Sequence, residues 1–518
     1  MSYVDEKIVL DFYLQQIKED KVKFLEGNDE FKQLISVEIV NLKDANAMHD
    51  KIEVAKKLWK LLFESSMGFI DPDKRGYDEL FKYFDEYVNF EELIFASDSF
   101  YRDHTLHCLW VYFLGEYIYR NEEYSFLMNN MYEETKKNIK IGKLMVETEL
   151  KNMLSDLIGF LNKQEGFMEY QDSIRCVSAL AHDLGYPLKK IYKINSCIGR
   201  ILPYFSLYNY DEFNFNYTGI QENYIHSFLQ LMNTNFVFTI DGNSVLNEEK
   251  SKLAYILSNT FITDGEDRRV VDINKDFING LNENDKGLLE KSMKFRIALR
   301  HDIEKKLRYS SDFEQYHHGI MSAFLLTKLV NSFTTFRFQY TNNTDIETRT
   351  VEVEKLQAIT LILNAIADHT STNYQIRNIC TASEYLALID ELEEFSRISR
   401  ANQNRQFIIE FCKTSLSGDE GILQIDFIFD NENIADLDPE KAFKGRCKRF
   451  LTLFNIKELD EKLKIRLRCI SRLSYNDNTY SLEIGRRFVK ISINDVEQNI
   501  PKYLSSRQFY TREQYEKM

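Results

Sequence analysis

The chain is poor in residues that interrupt helices: its 518 positions hold only five prolines and 19 glycines. A turn-rich all-β fold needs many more, so long helices are expected. Long apolar runs are also missing. None reaches the ~18–20 residues of a membrane span. The best candidate, 108-CLWVYFLGEYIY-119, is broken by Glu116 and reads as a buried helix. The N-terminus, 1-MSYVDEKIVLDFY, lacks a basic segment followed by an apolar core, so no secretory signal is expected. Seven cysteines, odd in number and without CxxC spacing, argue against a zinc ribbon or a disulfide framework and fit reduced thiols in a cytoplasmic protein. The formal net charge is −15, the wrong sign for coating extended nucleic acid. A metal centre with a few local cations can still accept a small anion.

What is present supports a packed, soluble chain. Apolar residues make up 44%, enough for a sizeable interior, and the length suggests roughly two to four domains. The Asn- and Lys-rich composition fits an AT-rich bacterial genome. Up to about residue 400, apolar residues recur every three or four positions, as in 51-KIEVAKKLWKLLFESS-66 and 353-VEKLQAITLILNAIAD-368, and this part is expected to be mainly α. Within it, about 191–310 shows weaker periodicity, as in 208-YNYDEFNFNYTGIQENY-224. That region is expected to be an insertion of loops and small helices beside the main bundle.

Past residue 400 the period becomes two. Strands are expected at 406–414 and 422–429, then a helix at 439–454 with Asp438 as cap and Pro439 in its first turn. Two more strands, 463–473 and 479–493, join at Asn476-Asp477-Asn478, giving a small ββαββ module. Lys464, Arg466 and Arg468 alternate with Ile465, Leu467 and Cys469. Such a basic face can bind an anion, but more often it is the solvent side of a half-buried sheet. The expected organisation is an N-terminal helical extension (1–98), a helical domain (99–400) and an accessory α/β module (401–518).

Only nine histidines occur, so their placement is informative. In 101-YRDHTLHCLWVYFLG-115, Asp103, His104 and His107 can share one side of a helix that continues as an apolar body. His182-Asp183 ends the apolar run 174-IRCVSALAHDLG-185, where Gly185 and Pro187 stop the helix. The segment 316-YHHGIMSAFLLTKL-329 opens an apolar helix with His317 and His318, and 361-LILNAIADHTS-371 closes one with Asp368-His369. Asp390 lies in the apolar stripe of Leu386, Ile389 and Leu392. Imidazoles and carboxylates at the ends of apolar helices are the mixture that divalent metals require. A lone buried aspartate costs several kcal/mol, and convergence on a cation removes that cost. Alone, each feature has a plainer explanation: His182-Asp183 as a helix end, His104 as an ordinary helix histidine. His301-Asp302 lies in the highly charged 299-LRHDIEKKLR-308 and reads as a solvated helix face, and His49 and His226 read as ordinary.

The ordered set H…HD…H…H…D resembles the HD-domain superfamily of metal-dependent phosphohydrolases. "RDHTLHCLWVYFLG" is similar to the family's first-ligand helix, "ALAHDLGYP" to its signature, "YHHGIMSAFLL" and "AIADHTS" to the helices carrying further histidines, and "LALIDELEEFSR" to the closing helix. The chain departs from the family where many members continue as HDxGK: Tyr186 stands at the lysine position, with Lys189 and Lys190 shortly after. The gap of 135 residues from Asp183 to His318 is long for the family and accommodates the insertion.

The resemblance implies a helical HD bundle in which His107, His182, Asp183 and Asp390 hold one divalent cation. His318 and His369 would hold a second, with Asp183 bridging. Mn, Fe, Co, Ni, Zn and Mg are all candidates for one or two sites. Two such ions about 3.5–4 Å apart activate a water for attack on phosphorus. Asp183 would serve the chemistry as well as the metal, and His104, Asp103 or His317 would assist the leaving oxygen. Arg102, Lys189, Lys190 and Arg397 are the expected phosphate contacts. The expected function is a phosphohydrolase or phosphodiesterase acting on a small phosphorylated or nucleotide substrate. The alternatives are a nucleotide sensor signalling through residues 401–518, or a single-strand nuclease. No membrane partner is expected, and a homo-oligomer is compatible with the sequence.

Overall fold

Scarce breakers and three-to-four periodicity produce a mainly helical chain with a small mixed sheet of six strands toward its C-terminus. The structure is a computed structural model describing residues 3–72, 77–94, 100–128, 139–141, 170–207, 219–241, 250–263, 269–292, 294–301, 303–330, 333, 346–371, 374–395, 397–399, 412–419, 421–433 and 437–498. Among them, no helix is long and apolar enough to cross a membrane.

Helices α1 (Glu6–Lys18), α2 (Asp29–Asp44), α3 (Met48–Ile70) and α4 (Asp78–Ile94) come first. Helix α5 (His104–Arg120) starts after Asp103, whose carboxylate accepts from Leu106 N at 2.9 Å. Every residue of α5 from His104 to Ile118 is buried, as expected of a helix apolar on all sides. Glu116, the break in that run, is neutralised by Arg175 and Arg120, each at 2.6 Å. Asp172 completes this buried network with Arg175 at 2.6 Å and Arg120 at 2.7 Å.

Helix α6 (Gln171–Ala181) packs on α3 and α5, and Trp59 Nε1 donates to Leu180 O at 2.8 Å. The turn His182–Gly185 leads into α7 (Tyr186–Ile201). Helices α8 (His318–Leu329), α9 (Ile346–Asp368) and α10 (Ala382–Leu392) complete the bundle around α6. Thr381 and Glu384 form a capping box that fixes the start of α10. Gly185 sits where helix α8 comes closest. A Cβ there would lie 2.4 Å from His318 O and 2.6 Å from Ser322 N. Ser322 Oγ seals the approach, donating to His182 O and accepting from Gly185 N, both at 2.7 Å.

The region about 191–310 differs from the expected loops and small helices. Besides helices such as Gly219–Met232 and Lys250–Thr260, it supplies four strands of a five-stranded sheet, ordered β4-β5-β2-β3-β6. These are β2 (Ile139–Ile141), β3 (Thr234–Asp241), β4 (Phe261–Thr263), β5 (Arg269–Ile273) and β6 (Lys294–His301), of which β2 lies earlier in the chain. His301 therefore ends a strand instead of lying on a helix face, and the next helix begins at Ile303. Asp302 lies outside the described residues.

The C-terminal sheet has the order β13-β12-β11-β10-β9-β8. Its strands are β8 (Lys413–Asp419), β9 (Ile422–Phe429), β10 (Lys464–Ser471), β11 (Thr479–Gly485), β12 (Phe488–Ile493) and β13 (Val496–Glu497). Strands β9 and β10 pair in parallel across helix α11 (Pro439–Leu453), and the other neighbours are antiparallel. Asp438 caps α11, accepting from Lys441 N at 2.9 Å. Of the expected strand 406–414, residues 406–411 lie outside the described residues, and β8 starts at Lys413. The single expected strand 479–493 is two strands, because Arg487 takes φ 57° in a tight turn. The basic face is internally compensated: Arg468 forms a two-pronged pair with Asp426 at 2.6 and 2.7 Å, and Arg466 meets Glu483 at 2.6 Å.

Candidate metal centre

Five segments far apart in sequence place their polar ends together. His107 lies one turn into α5, His182 and Asp183 follow α6, His318 opens α8, His369 follows α9, and Asp390 lies near the end of α10. His107 Nε2 is 2.9 Å from Asp390 Oδ1 and 3.2 Å from His182 Nε2. Asp183 Oδ2 faces this trio, 3.4 Å from His182 Nε2 and 3.7 Å from His107 Nε2. Its other oxygen, Oδ1, faces His318 Nε2 at 3.1 Å and His369 Nε2 at 3.6 Å. One carboxylate thus addresses two sets of imidazoles.

The tautomers follow from the partners. His182 Nδ1 donates to Ala179 O at 2.7 Å and His369 Nδ1 to Ile366 O at 2.6 Å, since a carbonyl can only accept. His107 Nδ1 donates to the Glu393 carboxylate at 2.6 Å, where both groups are fully buried. In these three rings, when neutral, Nε2 is then a lone pair aimed inward. Two such lone pairs, on His107 and His182, face each other at 3.2 Å. That contact is unfavourable without positive charge between them. His369 Nε2 is buried with no hydrogen-bond partner among the described residues. Ligand atoms 3–4 Å apart can share a cation at the usual distance of about 2.0–2.2 Å from each. The residues therefore fit a divalent metal.

Electrostatics agree. Burial lowers His182 to about 3 and His318 to about 4, keeping both neutral and able to ligate. Burial alone would raise Asp183, but His182, the hydrogen bond from His318 and the nearby His369 ring hold its carboxyl well below the usual range. Burial opposes charge on His369 too, yet the Asp183 carboxylate beside it raises its pKa. This carboxylate demands positive charge beside it.

Cys108 lies within reach of His182 and Asp183, its Sγ 3.9 Å from His182 Nδ1. That nitrogen already donates to Ala179 O, and burial pushes the Cys108 thiol well above its ordinary value. Cys108 is a neutral packing group behind the site. The mouth is marked by Asp390 and His318, whose side chains keep 22% and 13% exposure, whereas His107 and His182 keep none.

The other expected residues are distributed as follows. His104 reaches the site, with Nε2 4.0 Å from Asp183 Oδ2. Asp103 is spent on the α5 cap, and burial raises its carboxyl to about 6. His317 precedes α8 and meets Asp312 at 3.1 Å, belonging to none of the clustered groups. Lys190, buried on α7, holds its ammonium 4.6 Å from the centre of the Tyr186 ring. That ring lies 3.9 Å from His104 and 5.3 Å from His318. The charge of Lys189 adds to the lowering of His318. Arg102 and Arg397, 295 positions apart, are direct register partners between β1 (Phe100–Arg102) and β7 (Arg397–Ser399).

Sequence reasoning missed two carboxylates: Glu393 behind His107, and Glu91 behind His104 at 2.6 Å. The spacing of Glu393 three residues past Asp390 was a usable signal, since it returns to the same helical side. Glu91 gave none. No protein-family model matches the chain, and no curated protein or solved structure matches it either. The buried His/Asp cluster able to hold a metal ion is consequently the finding on which function must be argued.

Proposed function

We propose that the chain is an HD-type metal-dependent phosphohydrolase or phosphodiesterase, cleaving a phosphate ester or anhydride of a nucleotide-type substrate with an activated water. The observation that carries this is the division of Asp183 between His107, His182 and Asp390 on one oxygen's side and His318 and His369 on the other's. Divalent cations bound there would make a water acidic enough to attack at neutral pH and would offset charge on phosphoryl oxygens.

The chain's own groups set the rest. Four neutral imidazoles and two carboxylates leave a pair of divalent ions with net positive charge, so the pocket favours an anion inside an acidic protein. Asp183 fixes the spacing of the two halves. The residues assigned to phosphate binding are Lys189 and Lys190 of α7, together with Arg102 and Arg397, register partners of β1 and β7. His104 stands beside Asp183 without belonging to the ligand set and serves the leaving oxygen.

Elemental analysis of purified protein should give one to two transition-metal ions per chain, reduced in His182→Ala. A panel of nucleotides and phosphate esters with added Mn, Co or Ni should show turnover that Asp183→Ala abolishes. A metal content indifferent to His182→Ala would remove the centre.

A nucleotide sensor is the second reading, favoured by two ion pairs. Helix α11 of the C-terminal module places Arg449 2.9 Å from Glu391 and Arg446 3.7 Å from Glu394, directly after Asp390. Tight nucleotide binding without turnover across the panel would select it.

A further inference from the structure

Helix α10, which carries Asp390, is gripped at both ends by the C-terminal module. Ahead of α10, the backbone of Ile376 runs parallel to that of Phe454, at the end of α11. Ile376 N donates to Leu453 O at 2.8 Å, and Asn455 N donates back to Ile376 O at 2.9 Å. Asp460 N donates to Arg377 O at 2.7 Å. At the far end of α10, Arg449 of α11 meets Glu391 at 2.9 Å and Arg446 meets Glu394 at 3.7 Å. Between these two glutamates lies Glu393, which orients His107.

Arg446 belongs to the interior of the module. Its guanidinium lies 4.0 Å from the centre of the Phe427 ring on β9, and 12% of its side chain is exposed. Its carboxylate partner, Glu394, is 7% exposed and follows α10 in the helical part. A cation drawn out of water needs such a partner, so the segment after Asp390 completes the module's core. The edge strand β8 is fixed to the helical part as well. Tyr124 Oη donates to Leu416 O at 3.2 Å, Gly418 N to Glu123 Oε1 at 3.0 Å, and Val4 N to Thr414 O at 2.9 Å. A shift of the module would therefore pull on the backbone at both ends of α10.

We infer that the module is a clamp on the metal centre: Arg446, through Glu394, is a positioning residue that keeps Asp390 and Glu393 in place for the cation. This rests on the metal centre of the proposal above, and not on turnover. Asp390 stands two residues before the end of α10, in the turn where a helix frays. A ligand set must be held to within about 0.5 Å, and the tie at Glu394 steadies that last turn. The effect is local, because His318 and His369 are carried by α8 and the end of α9. Coupling of this kind is reciprocal, so a bound ion must tighten the module's grip.

The test titrates chelator-stripped, full-length protein with Zn2+, which such nitrogen and oxygen ligands bind strongly. In a His318→Ala background, which keeps His107, His182, Asp183 and Asp390, adding Arg446→Met should weaken affinity roughly 10-fold. In an Asp390→Ala background, which keeps His318 and His369, it should change affinity by less than about twofold. Arg446→Lys keeps the charge and should recover part of the loss. Removing a positive charge near the ion would by itself tighten binding, so the direction separates positioning from charge. Tighter or unchanged binding in the first background, or equal losses in both, would overturn the clamp. If Arg446→Met does not fold, hydrogen exchange in wild type carries the test. Zn2+ should slow exchange at the amides of Asn455 and Asp460, which reach across to Ile376 and Arg377, more than in β12. A slowing no greater than in β12 would overturn the clamp too. If wild type binds no Zn2+, the metal centre falls first and takes the clamp with it.

Discussion

At the scale of single residues, the inward-facing nitrogens depend on what holds their rings from behind. Glu393 is the clearest case, since its carboxylate fixes the tautomer and orientation of His107 from a fully buried position. Glu393→Ala should weaken metal affinity roughly 10- to 100-fold, and Glu393→Gln much less. Competition with a chromophoric chelator measures both, and equal affinities in wild type and Glu393→Ala would show that His107 needs no such support. The six metal-type residues were legible because each combines an unusual residue with an apolar helix end. Glu91 was not, because 91-EEL-93 looks like the solvated face of any acidic helix, and Glu393 had only its three-residue spacing from Asp390 to set it apart within the equally acidic 391-ELEEF-395. Only the tertiary packing tells a buried glutamate from an exposed one.

At the scale of elements, the helices α3, α5, α6, α9 and α10 were readable from period and breakers, and the α11 cap from Asp438-Pro439. The five-stranded sheet was not. Its strands are short or come from stretches of weak alternation, and β2 pairs with β3 and β5 from far along the chain. Non-local pairing of that kind leaves little local trace. The turn between α6 and α7 makes a sharper claim. Its Gly185 meets backbone atoms of α8, which cannot swing aside as a side chain would. Gly185→Ala should destabilise the protein by about 1–3 kcal/mol and weaken the half of the site that contains His318. Gly445→Ala in α11 is the control: a Cβ there meets nothing within 4 Å, and relief of helix-interior glycine should be neutral or mildly stabilising. Thermal melts of the two variants compare them directly.

At the scale of the whole molecule, the buried imidazoles couple stability to pH. His182 and His318 have folded values of about 3 and 4, below the ~6.5 of an unfolded chain. As pH falls below the unfolded value, the unfolded chain takes up protons that these two sites refuse, so folding weakens. Asp183, held low, adds a further loss beneath the ordinary carboxylate range. His369 works in the other direction: its value is raised, so its contribution is complete at low pH and fades as pH rises through that value. Asp103, raised to about 6, also works in that direction, but the two strongly lowered histidines outweigh it and His369. The melting temperature of chelator-stripped protein should therefore fall as pH drops from about 6.5 toward 4, and less steeply in His182→Asn. A flat profile in wild type would contradict the burial of neutral rings.

The pairing of His107 with Glu393 spans 286 positions. During synthesis the first imidazole leaves the ribosome long before the carboxylate that orients it exists. Closing so long a loop is slow and entropically costly, and nothing in the nascent segment repays it early. Full orientation of His107 must therefore await the synthesis and docking of the segment that carries Glu393, so that any cation held by His107 is captured late in folding.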